Sequence, residues 1–151
     1  MQVSARAEYA VRIALALASD YPDTRSAGSI AAVQSLPRKF AEVILSDLRR
    51  ADLVHSVRGI EGGYRLARPP EAIAVAEVLR AADGPLAEVR GKRPESTSYE
   101  GAAANLPRLW IAGRAAVRSV FDEVTLAQAL SGEFPLHIRE LAADADAWLP
   151  R

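Results

Sequence analysis

The 151-residue chain contains no cysteine at all. That excludes a disulfide framework and any zinc or iron–sulfur site built from thiolates. A fold that stands without disulfides fits a reducing cytosol, so a cytoplasmic location is expected. Histidine is scarce: His55 and His137 lie in separate regions with no ligand spacing between them, and no metal site is expected from them. Long apolar runs are missing too. The N-terminal stretch MQVSARAEYAVRIALALASD is interrupted by Arg6, Glu8 and Arg12 and reads as an amphipathic helix, not a signal peptide or a membrane span. There is no internal repeat and no low-complexity segment.

Catalytic constellations are absent as well. Ser96, Thr97 and Ser98 lack the flanking glycines of a nucleophile elbow, and no carboxylate pair or Ser–His–Asp set stands out. The stretch GPLAEVRGKR separates its glycines by six residues and places no hydroxyl after Lys92, whereas a phosphate-binding P-loop needs four residues and a Ser or Thr. Neither an enzyme nor a bound cofactor is expected.

What is present is a globular composition, half hydrophobic and a quarter charged. The net charge of zero hides an asymmetry. Residues 1–68 hold ten Lys/Arg against seven Asp/Glu, and residues 69–151 hold nine against twelve. Phosphate binding depends on local rather than total charge, and a dimer would double the basic patch.

The periodicity supplies the architecture. Residues 5–19 place Tyr9, Ala10, Ile13, Ala14 and Leu17 on one helical stripe. YPDTRS breaks that helix, and Ser26 can cap a short second helix from Ile30 to about Gln34. After a tight turn at Ser35–Leu36, Pro37 starts a third helix, where its missing N–H costs nothing. That helix is expected to bury Phe40, Ile44 and Leu48, with Val43 beside them. Two short helices joined by a tight turn form a helix-turn-helix pattern. Arg38 and Lys39 open the second of them, at the end that meets bases in such motifs.

The runs LVHSV and YRLA then alternate around Gly59, Gly62 and Gly63, which is a hairpin pattern. Helix, helix, helix, hairpin in about sixty residues is a winged helix. A thin glycine-rich tip lets a wing approach a phosphate backbone or the minor groove, and Arg58 and Arg65 bring the charge. Tyr64 reads first as a packing residue. Gln2, Ser4 and Arg6 are candidate phosphate contacts, while Arg49 and Arg50 sit at a helix C-terminus that favours cations anyway.

Beyond the hairpin, Glu71–Ala82 reads as a fourth helix and residues 86–104 as loop. LPRLWIAGRAAVRSVFDEV is one long helix whose apolar stripe is wider than a small domain requires. Thr125 and Gln128 form a capping box for a short helix ended by Gly132, and the tail carries one more amphipathic helix.

With these residues on the page, the chain resembles the Rrf-two (BadM-like) family of bacterial winged-helix transcription regulators. YAVR in the first helix, LRRADLVHSVRGIEGGYRLARPPEAIAVAEVLRAADGPL at residues 48–86, and LPRLWIAGRAAVRSVFDEVTLAQ carry the likeness. It implies a homodimeric DNA-binding regulator, often a repressor, whose long helices cross between subunits. The DNA-contacting candidates become Ser4, Arg6, Arg38, Lys39, Arg58, Gly62, Gly63, Tyr64 and Arg65. The dimer candidates are Leu106, Leu109, Trp110, Val117, Val120 and Phe121. Expected segments are a winged helix-turn-helix domain at 1–84, a variable loop at 85–104, and a dimerisation helix with C-terminal helices at 105–151.

Departures from the family pattern are informative. Members that sense iron–sulfur status or nitric oxide carry three cysteines between the fourth helix and the long helix; this chain has none, so that ligation does not carry over. Ser35 and Asp52 stand where glycine is common, and Ile60–Glu61 replaces a more usual Pro–Gly at the wing tip. The expected partners are double-stranded DNA and a second copy of the chain, with no membrane. Two other readings stay open: a winged helix that docks a protein partner, and a cluster-free regulator with a small-molecule pocket formed by residues 86–104 and Trp110.

Overall fold

The computed structural model of the chain describes residues 2–150; Met1 and Arg151, the outermost residues of the first and last expected segments, lie outside the described residues. The chain is mainly α with a two-stranded antiparallel wing. Helix α1 (Ala5–Asp20) starts at Ser4, whose hydroxyl oxygen accepts from the Ala7 amide at 3.0 Å. It buries Ala7, Ala10, Ile13, Ala14 and Leu17 along one stripe, with Tyr9 half-buried at its border. Helix α2 (Ala27–Val33) begins earlier than the sequence suggests, because Ser26 caps it through the Ser29 amide.

Helix α3 (Arg38–Arg50) corrects two expectations. Pro37 occupies the capping position rather than the first helical one. More important, the buried stripe runs through Ala41, Ile44, Leu45 and Leu48, while Phe40 is 58% and Val43 52% exposed. The reason is helical phase. Steps of four residues advance about 400°, so the row from Leu48 back to Phe40 drifts off the stripe that faces α1. Ser35 (φ +53°) and Asp52 (φ +56°) adopt left-handed backbone, which explains why glycine suits those two turns.

Strands β1 (Val54–Val57) and β2 (Gly63–Leu66) pair antiparallel, with Val54 opposite Leu66 and Val57 opposite Gly63. Val54 and Leu66 anchor the hairpin in the core. The hairpin is also tied to the α1–α2 connection: Arg25 and Tyr64 exchange both backbone hydrogen bonds, at 2.9 and 2.8 Å. That approach needs glycine next door, since a Cβ at Gly63 would stand 2.5 Å from the Arg25 carbonyl oxygen.

Helix α4 (Val75–Asp83) is shorter than the expected Glu71–Ala82 span. Pro70–Ala72 forms a separate 3-10 turn, and Ile73 is extended and buried. It is held there by the Val124–Leu126 segment: the Val75 amide donates to Val124 at 2.8 Å and the Leu126 amide to Ile73 at 2.9 Å. Between these two bridged segments the chain travels out along α5 (Leu106–Phe121) and back. The connection at 86–104 holds two 3-10 turns, Pro94–Ser96 and Gly101–Ala103. Helix α6 (Leu126–Ser131) starts at the expected Thr125–Gln128 capping box, and α7 (Leu136–Ala143) follows. No helix of the described residues is long and apolar enough to cross a membrane.

The contrast between two glycines tests this packing. Gly63→Ala is expected to lower stability by about 1–3 kcal/mol, the range of a forced backbone clash. Gly28→Ala, in α2 with nothing within 4 Å of the added methyl, is expected to be neutral or stabilising by up to about 1 kcal/mol. Urea denaturation of both variants measures the difference, and equal midpoints would remove the close approach from the account.

Candidate nucleic-acid interface

Because α3 buries only one narrow face, its outer face is entirely free. Arg38, Lys39, Glu42, Val43, Arg49 and Arg50 are exposed, and Ser46 is half-buried among them. Helices α1 and α2 have serine caps, but α3 has no side-chain cap. Its first turn therefore combines open amides, the positive end of the helix dipole and two cations. Cations there cost about 0.3–1 kcal/mol each in water, a disadvantage that an anionic partner reverses. Arg38 reaches the Glu42 carboxylate at 2.9 Å, one turn on. Lys39 and Arg49 make no side-chain hydrogen bond or ion pair among the described residues.

Glu42 was missed in the sequence. Its signal lay in the spacing, four residues after Arg38, which places both on the outer face. An exposed carboxylate in a basic face can accept from a cytosine amino group in the major groove, while arginine donates to guanine. The pair thus holds both partners of a base-reading set in one place.

The wing presents Arg58 and Arg65 to solvent, neither of them paired among the described residues. Arg65 stands opposite His55 in the hairpin register, and Arg58 opens the tip. Ile60 and Glu61 form the exposed end, and Thr24 donates to the Glu61 carbonyl at 2.8 Å, holding the tip from the α1–α2 side. Gly62 and Gly63 have backbone reasons to be glycine: a Cβ at Gly62 would lie 2.4 Å from the Val57 carbonyl oxygen. Tyr64 packs its ring against the core.

Ser4 and Arg6 have structural partners. Ser4 caps α1 and donates to Asp83 on α4. Arg6 pairs with Asp47, the one buried charged side chain among the described residues, which also takes Arg50 at 2.6 Å. Asp47 is 7% exposed, and two guanidiniums compensate its burial. Arg6 still shows about half its side-chain surface to solvent, and Gln2 is exposed.

The expected dimer stripe divides in two. Val120 and Phe121 pack on the core of their own chain, whereas Leu109, Trp110 and Ile111 stand exposed and α5 has no fully buried residue. Leu106 and Val117 are half-buried. Beside Trp110 lies a cavity of about 470 Å³, lined by Glu88, Pro94, Arg114 and Val117 among others. A larger cleft of about 790 Å³ separates α4 from α5 and is lined by Arg80, Arg93, Arg114, Arg118, Glu95 and Asp122. Within it, Asp122 accepts from both Arg80 and Arg118, linking the two helices. Burial pushes the Asp122 carboxyl up, but the hydrogen bonds and charges of Arg118 and Arg80 outweigh it and leave the group below its ordinary range. Glu95 is lowered too, first by a backbone hydrogen bond and then by Arg114 at 2.6 Å and by Arg93.

Comparison with known proteins fits this geometry. Residues 3–132 match the family model described as Rrf2, iron-dependent transcriptional regulator. A Mycobacterium tuberculosis (strain H37Rv) protein named as an HTH-type transcriptional regulator, Rv1287, is 46% identical over 145 residues, covering 95% of this chain and 90% of its own. The regulator CymR of Bacillus subtilis is 34% identical over 127 residues, 83% of this chain and 87% of its own. Its solved structure, titled as that of the global cysteine regulator, superposes with a TM-score of 0.74 over 87% of this chain and 98% of that one. The T. potens IscR structure, 28% identical, gives 0.71 over 100% and 93%. The iron in the family description does not fit the residues present here. The chain has no thiolate, and among the described residues no three His, Cys, Asp or Glu side chains converge.

The clamp at Asp122 yields a pH prediction. A carboxylate whose folded pKa is depressed contributes stability above its unfolded value and loses it as pH falls through the folded one. Asp122→Asn is therefore expected to cost about 1 kcal/mol at pH 7, with the gap to the unaltered chain closing as pH drops below the ordinary carboxylate range. Thermal unfolding from pH 7 to pH 3 measures it; a gap independent of pH would assign the loss to packing rather than charge.

Proposed function

Because the chain belongs to the Rrf2 family of DNA-binding transcriptional regulators, we propose that it acts as a homodimeric repressor on a palindromic operator, with α3 in the major groove and the wing on flanking backbone. The observation that carries this reading is the outer face of α3, where Arg38, Lys39, Glu42, Val43, Arg49 and Arg50 are all exposed while the opposite face is buried. The exposed Leu109, Trp110 and Ile111 on α5 support the dimer, because a free apolar patch on a soluble chain calls for a partner. Two copies related by a two-fold axis would present two α3 helices, and a palindrome mirrors that symmetry. Repression is the mode that bound DNA alone provides, since occupancy of an operator blocks access without a further contact.

DNA selected from random fragments by the intact protein supplies the operator, and its symmetry reports the dimer. On that operator, Arg38→Ala or Lys39→Ala is expected to cost about 1–3 kcal/mol at particular base pairs and relax preference there. Arg58→Ala and Arg65→Ala are expected to weaken binding to all sequences alike and reduce the salt slope by about one unit each. A monomer mass by light scattering at micromolar concentration, or an asymmetric selected site, would refute the dimeric reading. Base preference lost with Arg58 and kept without Arg38 and Lys39 would exchange the roles of helix and wing. Indifference to all four substitutions would favour docking of a protein partner.

A small-molecule response is a second reading, favoured by the cavity beside Trp110. Trp110 fluorescence, isolated by Trp148→Phe, is expected to change on addition of an effector in parallel with DNA affinity. A fluorescence change with unchanged DNA affinity would separate the cavity from regulation.

A further inference from the structure

The outer face of α3 carries two large apolar side chains that the core does not use. Phe40 is 58% and Val43 52% exposed, three residues apart and so on neighbouring positions of one helix face. Together with Arg6, Lys39 and Ile44 they line a shallow groove of about 240 Å³ whose walls are mostly carbon. On a surface helix, exposed positions favour polar residues, and exposure of a Phe–Val pair along the border of a charged face costs solubility without stabilising the fold.

The rim of the groove identifies its occupant. Lys39, unpaired among the described residues, and Arg6, which shares the buried Asp47 with Arg50, line it, so two guanidiniums share one carboxylate beside a free ammonium. The only exposed carboxylate on α3 among the described residues, Glu42, is paired with Arg38. An apolar slot edged with cations suits a partner that offers small apolar groups set between anions. Duplex DNA has that pattern in its major groove, where each thymine projects a C5-methyl between two rows of phosphates. A second copy of this chain does not fit as well, because it would bring the same cations against these.

We infer that Val43 and Phe40 form a thymine-methyl contact, so that the recognition helix reads A·T pairs by apolar contact as well as G·C pairs by Arg38 and Glu42. Val43 lies one turn after Lys39 on the outer face and meets the methyl; Phe40, at the Arg6 edge, covers its far side. This inference rests on the proposal that α3 enters the major groove, and it adds a specificity that the charged residues do not supply.

Deoxyuridine tests it, since it removes the C5-methyl and leaves every base-pair hydrogen bond in place. Each thymine of the selected operator is replaced singly by deoxyuridine, and affinity is measured for the intact protein and for Val43→Ala, Phe40→Ala and the milder Phe40→Leu. Circular dichroism and thermal unfolding confirm that each variant folds, as expected for exposed positions. At one or two thymines per half-site the intact protein is expected to lose about fourfold in affinity, which is the ~0.8 kcal/mol of one buried methyl group at 1.4 kcal/mol per factor of ten. Val43→Ala is expected to bind the thymine and deoxyuridine operators equally, and Phe40→Leu to keep part of the difference. If the intact protein selects an operator yet tolerates deoxyuridine everywhere, or if both alanine variants keep the full fourfold difference, the methyl contact is wrong while the placement of α3 stands. If no operator is selected at all, the placement of α3 fails and the contact fails with it.

Discussion

The burial of one narrow stripe of α3 against the rest of the core is the constraint on which the molecule depends. Ala41, Ile44, Leu45 and Leu48 are fully enclosed, and their removal from water at roughly 25 cal/mol per Å² is what fixes the rotation of this helix about its axis. Rotation in turn decides which side chains reach solvent. Had the stripe been centred on Phe40 and Val43, other positions would have faced outward and the basic face would have been broken. The exposed basic face is thus the complement of the hydrophobic one.

Around that helix, the fold spends its polar contacts on holding the connections in place. Asp47, buried on α3, lies between Arg6 of α1 and Arg50 of its own helix, so the first and third helices are joined through one buried carboxylate. Arg12 reaches from α1 to the backbone of Gln34 at the end of α2. Arg25 forms a short backbone ladder with Tyr64, so the wing is fastened at its base to the α1–α2 turn as well as to the core. These contacts cost little to make where the groups are half exposed, and they restrict motion between the parts that would have to meet DNA together.

The second half of the chain follows a different logic. Helix α5 leaves the core and returns to it through the Ile73–Leu126 bridge, and no residue along it is fully buried. At its C-terminal end Val120 and Phe121 pack on the core, and Asp122 ties it to α4 through Arg80 while also holding Arg118 of its own last turn. An apolar outer face and a charged inner seam together make α5 the element through which the proposed second copy, or a molecule bound in the neighbouring clefts, would act on the proposed DNA-contacting helix. The absence of cysteine removes thiolate-bound metal as the means of doing so.

Much of this was legible in the residues. The helix order, the caps at Ser26 and Thr125, the glycine hairpin and the long C-terminal helix all follow from local chemistry acting over a few residues: a hydroxyl three places before an amide, a glycine where a Cβ would collide, an apolar period near 3.6. Arg38, Lys39, Arg58 and Arg65 could be singled out for the same reason, since a cation at the wrong end of a helix dipole or beside a glycine turn is visible in the sequence. Helical phase was not legible. Phe40 and Val43 read as core because size and hydrophobicity count equally on either side of a helix, and only the packing of α1, α2, β1 and α4 against α3 decided that Ala41 and Leu45 go inward. The pairing of Arg25 with Tyr64, the double use of Asp47 and the division of the α5 stripe each join residues far apart in the chain. Their geometry exists only once the core has closed, so the tertiary structure alone determined them.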